Sequence, residues 1–147
     1  MEEQTVTAAS VITFCGLLED GAAALYEELA RRFPAYGEQA TAFAKECRKS
    51  KLLVLRTYQE TITDAIEAGY AFGGLRLGDP LFGVALDEGM SAAEALGQAS
   101  ALEAAAAAFY VDIADRSQAL LATIPGAFRR AGRTHAQRLQ RLESLPR

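Results

Sequence analysis

Residues 95–121 read ALGQASALEAAAAAFYVDIADRSQALL, and this stretch decides the fold. Its apolar residues recur at steps of three and four, the period of one helix face; they are Ala95, Ala99, Leu102, Ala106, Phe109, Ile113 and Leu120. The stretch therefore predicts a long helix with one buried side. Glu103 lies beside that side, about 10 Å and two turns before Tyr110. A carboxylate in such apolar surroundings needs a partner, because burying an unpaired charge is costly.

An earlier stretch carries the same pair of residues. Glu19 precedes Tyr26 by the spacing that separates Glu103 from Tyr110, and this match does not depend on the alanines around both pairs. The chain is therefore expected to contain two similar helical units, each of which brings one acid toward a shared core.

Capping residues and prolines place the first two helices. Thr5 or Thr7 can cap a first helix that runs to about residue 32. Pro34 then breaks it, and a second helix is expected over about 35–68.

The following segment, 69–90, is rich in glycine but stays apolar. Asp79 and Pro80 can cap and open a short helix there. The apolar side chains predict that the segment packs on the helices; they are Leu75, Leu77, Leu81, Phe82, Val84 and Leu86.

Two further helices complete the pattern. Ser91 and Glu94 form a capping box for the third. Pro125 restarts the chain into a fourth helix that ends near residue 145. The sequence therefore predicts an all-α fold in which two antiparallel helical hairpins, joined by a long crossover, form a ferritin-like four-helix bundle.

Composition limits the classes of function. The 147 residues predict a single domain, 1–147, with a net charge of −4, which argues against a nucleic-acid partner. The arginines of the last helix are expected to form a solvated or salt-bridged face. The start of the chain lacks a basic signal region, and the uncharged run 6–18 is too short to span a bilayer, so a cytoplasmic protein without a membrane partner is expected. Cys15 and Cys47 predict buried free thiols that point away from the acids.

The acid-to-tyrosine pattern resembles the ferritin-like superfamily, and within it the rubrerythrin-type di-iron domains. The matching motif is Glu-x-x-Ala-x-x-(Leu/Phe)-Tyr, present at 19–26 and again at 103–110. The resemblance covers about residues 10–145, without much of the crossover. In that family the acid of each first helix binds metal, and each second helix carries Glu-x-x-His after a Phe. Those family positions fall here on Ser50, Leu53, His135 and Arg138, or in a shifted register on Glu46, Lys49, Gly132 and His135.

Neither register contains a complete Glu-x-x-His, and the chain has a single histidine. A standard di-iron site, with its four carboxylates and two imidazoles, therefore cannot form in one subunit. Two interpretations stay open. In one, a single iron, manganese or zinc ion binds a reduced set of ligands, namely Glu19, Glu103, His135 and Glu46. In the other, no metal binds, and the guanidinium of Arg138 bridges both glutamates beside His135. A different register would leave Glu103 exposed.

Two functions follow from these interpretations. The chain is a non-catalytic binding or structural relative of the rubrerythrins, or it is a metalloprotein that acts on peroxide or oxygen, as the resemblance implies. No small-molecule substrate is indicated. A homodimer is expected, because the apolar crossover and the second helix offer more apolar surface than a lone bundle needs.

Overall fold

The computed structural model describes residues 6–61, 72, 75–117 and 123–146. These ranges contain no β-strand, and they form four long helices. The helices are α1 (Ala8–Arg32), α2 (Gly37–Thr61), α3 (Ala92–Arg116) and α4 (Thr123–Glu143). The prediction of an all-α four-helix bundle is confirmed. The predicted ends of the second and third helices, 62–68 and 118–121, lie outside the described residues.

The predicted caps fix where two helices begin. The Thr7 hydroxyl accepts a hydrogen bond from the Ser10 amide at 3.1 Å, so Thr7 caps α1, while Thr5 lies outside the described residues. At the start of α3, Ser91 and Glu94 form the reciprocal capping box, with distances of 3.1 and 3.2 Å. Pro34 opens a single 3-10 turn, and this turn separates α1 from α2.

The helices pack as two hairpins around one apolar core. α1 packs mainly on α2 and α3 mainly on α4, while α2 also contacts α4. α1 and α3 run in opposite directions, because Glu19 contacts Tyr110 and Tyr26 contacts Glu103. Small and branched apolar residues from these helices fill the core; fully buried examples are Leu18, Ala22, Ala99, Leu102, Ala106 and Ile113.

The described part of the connection between α2 and α3 lies against α1 and α3. Phe82 contacts Phe14 of α1 and Phe109 of α3, with ring centroids 6.2 and 6.1 Å apart. Near its end, the carbonyl of Asp87 accepts a hydrogen bond of 2.7 Å from Arg32. The prediction that this segment packs on the helices is confirmed for 75–90, whereas 69–71, 73 and 74 lie outside the described residues.

The prediction of a short helix that begins at Asp79 and Pro80 is wrong. Residues 80–83 form a turn, in which the Asp79 carboxylate accepts hydrogen bonds from the amides of Leu81 and Gly83 at 3.1 and 2.8 Å. Phe82 and Gly83 have positive φ angles of 54° and 77°. Two successive residues in the left-handed region end any helix, so Asp79 stabilises a turn instead.

By length and composition alone, α1 is long and apolar enough to cross a membrane. Its apolar stretch is longer than the uncharged run 6–18, which is too short to do so. It contains an 18-residue window of mean hydropathy 1.4, of which 56% is buried inside the bundle. A buried core helix and an N-terminal signal sequence both have these properties. The cytoplasmic location stays a prediction.

Candidate functional site

Four polar side chains meet in the centre of the bundle. Glu19 comes from α1, Glu103 from α3, and His135 and Arg138 from α4, and all four have a relative exposure of 0%. The structure thus brings together the acids and cations that the sequence singled out, and the register that would leave Glu103 exposed is wrong.

His135 lies between the two glutamates and contacts both. Its Nδ1 is 2.5 Å from Glu103 Oε2, and its Nε2 is 2.8 Å from Glu19 Oε2. A carboxylate only accepts hydrogen bonds, so each ring nitrogen must carry a proton to make both contacts. The geometry therefore indicates a positively charged imidazolium that bridges the two acids.

The charges of this group account for its protonation. Burial lowers the pKa of His135, but hydrogen bonds to Glu103 and Glu19 and their negative charges outweigh burial and raise that pKa to about 9. Burial raises the pKa of Glu103, whereas the hydrogen bond and charge of His135, with the charge of Arg138, produce a net lowering. Both effects keep the pair ionised at neutral pH.

Arg138 supplies a second positive charge to one side of the network. Its Nη1 donates to Glu103 Oε1 at 3.1 Å, and its Nη2 donates to Glu46 Oε1 at 3.2 Å. Nη1 is also 3.2 Å from His135 Nδ1, because both donors share the Glu103 carboxylate. Arg138 makes no hydrogen bond with Glu19 among the described contacts. The interpretation in which this guanidinium bridges both glutamates is wrong, since the imidazole occupies the bridging position.

Glu46 lies at the rim rather than in the centre. Its side chain is 28% exposed and accepts hydrogen bonds from Arg141 at 2.6 and 2.9 Å, as well as from Arg138. Burial raises the pKa of Glu46, but the hydrogen bonds and charges of Arg141 and Arg138 outweigh burial, so the net shift of that pKa is downward. With Arg141 included, three carboxylates face three cations and the network is electrically balanced.

Two tyrosines complete the network by crossing between the repeats. Tyr26 of α1 donates to Glu103 at 2.5 Å, and Tyr110 of α3 donates to Glu19 at 2.6 Å. Burial, together with the charge of the neighbouring glutamate, raises the pKa of each tyrosine well above its usual range, so both stay protonated donors. The Tyr110 ring also stacks on His135, with centroids 5.5 Å apart.

The sequence reasoning missed this cross-pairing, although the signal was present. Each glutamate precedes its own tyrosine by about two turns, and α1 and α3 are antiparallel. Glu19 therefore lies at the level of Tyr110, and Tyr26 at the level of Glu103.

A glycine allows α4 to approach α3 closely enough for these contacts. A Cβ atom at Gly132 would lie 3.1 Å from the Cβ of Tyr110 and 3.6 Å from the carbonyl oxygen of Ala107. His135 follows one turn later on the same side of α4, so the close approach at Gly132 places its ring between the helices that carry the acids.

The remaining predicted positions lie near the network without bridging it. Ser50 is buried, with 5% exposure, but it makes none of the hydrogen bonds described above. Cys15 and Cys47 are buried free thiols, as predicted. The prediction that they point away from the acids stays a prediction. Burial raises the pKa of both thiols, so neither is a reactive thiolate.

The candidate metal ligands do not fit a metal ion in this arrangement. Both nitrogens of His135 contact carboxylates, and all four oxygens of Glu19 and Glu103 accept hydrogen bonds from the protein. Arg138 adds a second positive charge beside Glu103, which would repel a metal cation there. Across the described residues, no group of three or more His, Cys, Asp or Glu is arranged to hold a metal ion.

Comparisons of the chain with protein-family models, with curated proteins and with solved structures found no match.

Proposed function

We propose that this protein is a ferritin-like, rubrerythrin-related bundle in which protein cations take the place of the metal centre, and that it serves as a non-catalytic binding or structural protein. The observation that carries the proposal is the position of His135. Its imidazolium lies between the two glutamates that correspond to the family's metal ligands, and Arg138 balances the remaining charge.

The path of the chain supports the ferritin-like part of the proposal. α1 and α3 are antiparallel, so in a bundle of two antiparallel hairpins α2 and α3 run parallel. The connection between them must then travel the length of the bundle. Two contacts agree with this path: the Phe72 amide donates to the Val6 carbonyl at 2.8 Å, and the carbonyl of Asp87 lies beside Arg32, at the opposite end of α1. This is the course that a long crossover takes in ferritin-like folds.

Metal analysis tests the proposal directly. The protein is purified without chelator, its iron, manganese and zinc contents are measured, and its melting temperature is compared with EDTA and with each added metal. We expect far less than one metal ion per chain, and a melting temperature that neither EDTA nor added metal changes, because a ligand that binds only the folded state would raise it.

One result of the metal analysis would overturn the proposal. About one bound ion per chain, lost in His135→Ala but kept in the matched surface variant Gln137→Ala, would instead support the oxidoreductase that acts on peroxide or oxygen. The homodimer expected from the sequence stays a prediction, which light scattering can test.

A further inference from the structure

The charged residues of the bundle are divided between its helices. α2 and α4 carry ten basic residues, five on each, against four acids, whereas α1 and α3 carry eight acids, four on each, against three basic residues. Since α2 contacts α4, the basic residues gather on one side of the molecule.

The acids of α1 and α3 are largely used in ion pairs within the chain. Asp20 pairs with Lys51 at 2.7 Å, and Glu27 pairs with Arg48 at 2.6 Å. Glu28 likewise pairs with two arginines at the end of α1, Asp112 pairs with Arg116, and Asp115 lies 3.9 Å from Arg129. Three of these pairs use Arg48, Lys51 and Arg129, the basic residues of α2 and α4 that lie beside α1 and α3.

Five exposed cations form what we call the basic face: Lys45, Lys49, Arg56, Arg130 and Arg133. Across the described residues, none of them has an acid within 4.0 Å. This absence distinguishes them from the other surface cations of the helices, most of which are paired.

The five cations lie on two helices that contact each other, α2 and α4. Lys45, Lys49 and Arg56 are separated by four and seven residues, which places them on one side of α2. Glu46 of α2 contacts Arg138 and Arg141 of α4. The two helices are antiparallel, because each is antiparallel to the other helix of its hairpin and α1 is antiparallel to α3. Arg56, about 15 Å further along α2, therefore lies near the level of Arg130. Leu52, which is 45% exposed, sits among the cations of α2.

We propose that the basic face binds an acidic, amphipathic helix of a partner protein. Two parallel rows of cations suit a helix that carries acids at steps of three and four, and Leu52 suits one apolar residue between those acids. This inference rests on the proposed binding role and names the chemistry of the partner.

Other occupants fit the basic face less well. A second copy of the chain would bring like charges together at this face, and its acids are mostly taken by internal pairs. A membrane surface needs an apolar row that can insert, and Leu52 is the single large exposed apolar residue among the five cations. A nucleic-acid site normally belongs to a basic domain, whereas this chain has a net charge of −4 and a pI of about 5.1.

Fluorescence anisotropy with a synthetic helical peptide tests the inference. The peptide has about 20 residues, long enough to follow the basic face, and it carries glutamates on one side with a leucine among them. The test variant is Lys49→Glu with Arg133→Glu. The control, Arg31→Glu with Arg76→Glu, changes the net charge equally at exposed positions outside the basic face. We expect salt-sensitive binding to the parent protein that falls by more than about tenfold in the test variant and by less than about twofold in the control.

Several results would overturn the inference. They are no peptide binding to the parent protein, an equal loss of binding in the control, or tighter binding of a single-stranded oligonucleotide or of anionic vesicles than of the peptide. The metal content and melting temperature are measured on the same samples. Because the substitutions lie on the surface, failure of peptide binding would leave the metal-free network standing, and a bound metal would overturn the proposed function without affecting the peptide result.

Discussion

The two helical hairpins are alike in their first helices and different in their second. α1 and α3 each present a buried glutamate and, two turns later, a tyrosine that donates to the glutamate of the other hairpin. α4 supplies both cations that contact the central acids, whereas α2 contributes Glu46 from the rim.

This difference shows where the network depends on a single helix. The negative charges and the phenol donors are shared equally by the two repeats, so removal of either tyrosine should have a similar effect. The positive charges in the centre come from α4 alone, so substitutions there should have the largest effects.

The largest effect is expected for His135→Leu. The substitution leaves two buried carboxylates facing each other without the cation that bridges them, and breaking a buried charge network in this way costs about 3–5 kcal/mol. Chemical denaturation measures the loss in the free energy of unfolding. Gln137→Leu, at an exposed position on the same helix, serves as the control and should change stability by less than about 0.5 kcal/mol. If His135→Leu lowers the free energy of unfolding by less than about 0.5 kcal/mol, the imidazolium bridge does not stabilise the fold.

The free energy of unfolding should depend on pH through the ionisation of His135. The pKa of His135 is about 9 in the folded protein and about 6.5 in the unfolded chain. Its contribution is therefore complete below pH 6.5 and is lost as the pH rises through 9, a change of about 3 kcal/mol. Urea titrations at a series of pH values measure it. The alkaline loss should be absent from His135→Leu, and an identical loss in that variant would assign the effect to another group.

Arg138→Met should cost less, about 2–3 kcal/mol, although Arg138 is also fully buried. Glu103 keeps its hydrogen bonds from His135 and Tyr26, and Glu46 keeps Arg141. Thermal or urea unfolding of Arg138→Met and His135→Leu under the same conditions shows which substitution lowers the stability more. A larger loss for Arg138→Met than for His135→Leu would make the arginine, rather than the imidazolium, the main counter-ion.

The smallest effects test the equivalence of the first helices. Tyr26→Phe and Tyr110→Phe each remove one buried hydrogen bond to a carboxylate. Each should lower the free energy of unfolding by about 1–2 kcal/mol, and the two losses should be similar. Asp20→Asn, which breaks an exposed ion pair on α1, should cost less than about 0.5 kcal/mol and provides the baseline. A cost of about 1–2 kcal/mol for one tyrosine and none for the other would show that the two repeats are not equivalent in energy.

Much of the bundle could be predicted from helical period and capping alone. Thr7, Ser91 and Glu94 cap the helices they were expected to cap, because capping depends on residues a few positions apart. That Glu19 and Glu103 belong to one buried network also follows from the repeat, since each helical unit was expected to bring one acid toward a shared core.

The sequence could not show which cation bridges the acids. His135 and Arg138 lie one turn apart on the same side of α4, and helical period does not determine which side chain reaches farther. The outcome depends on rotamers and on the close approach of α4 to α3 at Gly132. The turn after Asp79 was missed for a related reason, because a capping aspartate suits a turn and a helix equally well.

The charge state of His135 tests the central claim most directly, and the chain has a single histidine, so its NMR signals need no assignment among others. Nitrogen-15 spectra of the ring, recorded from pH 5 to 10 with and without EDTA, report whether each nitrogen carries a proton. We expect both ring nitrogens to be protonated at neutral pH, to titrate near the pKa of about 9, and to be unaffected by EDTA or added zinc. A neutral ring with one unprotonated nitrogen at pH 7, or signals that shift when zinc is added, would contradict the account.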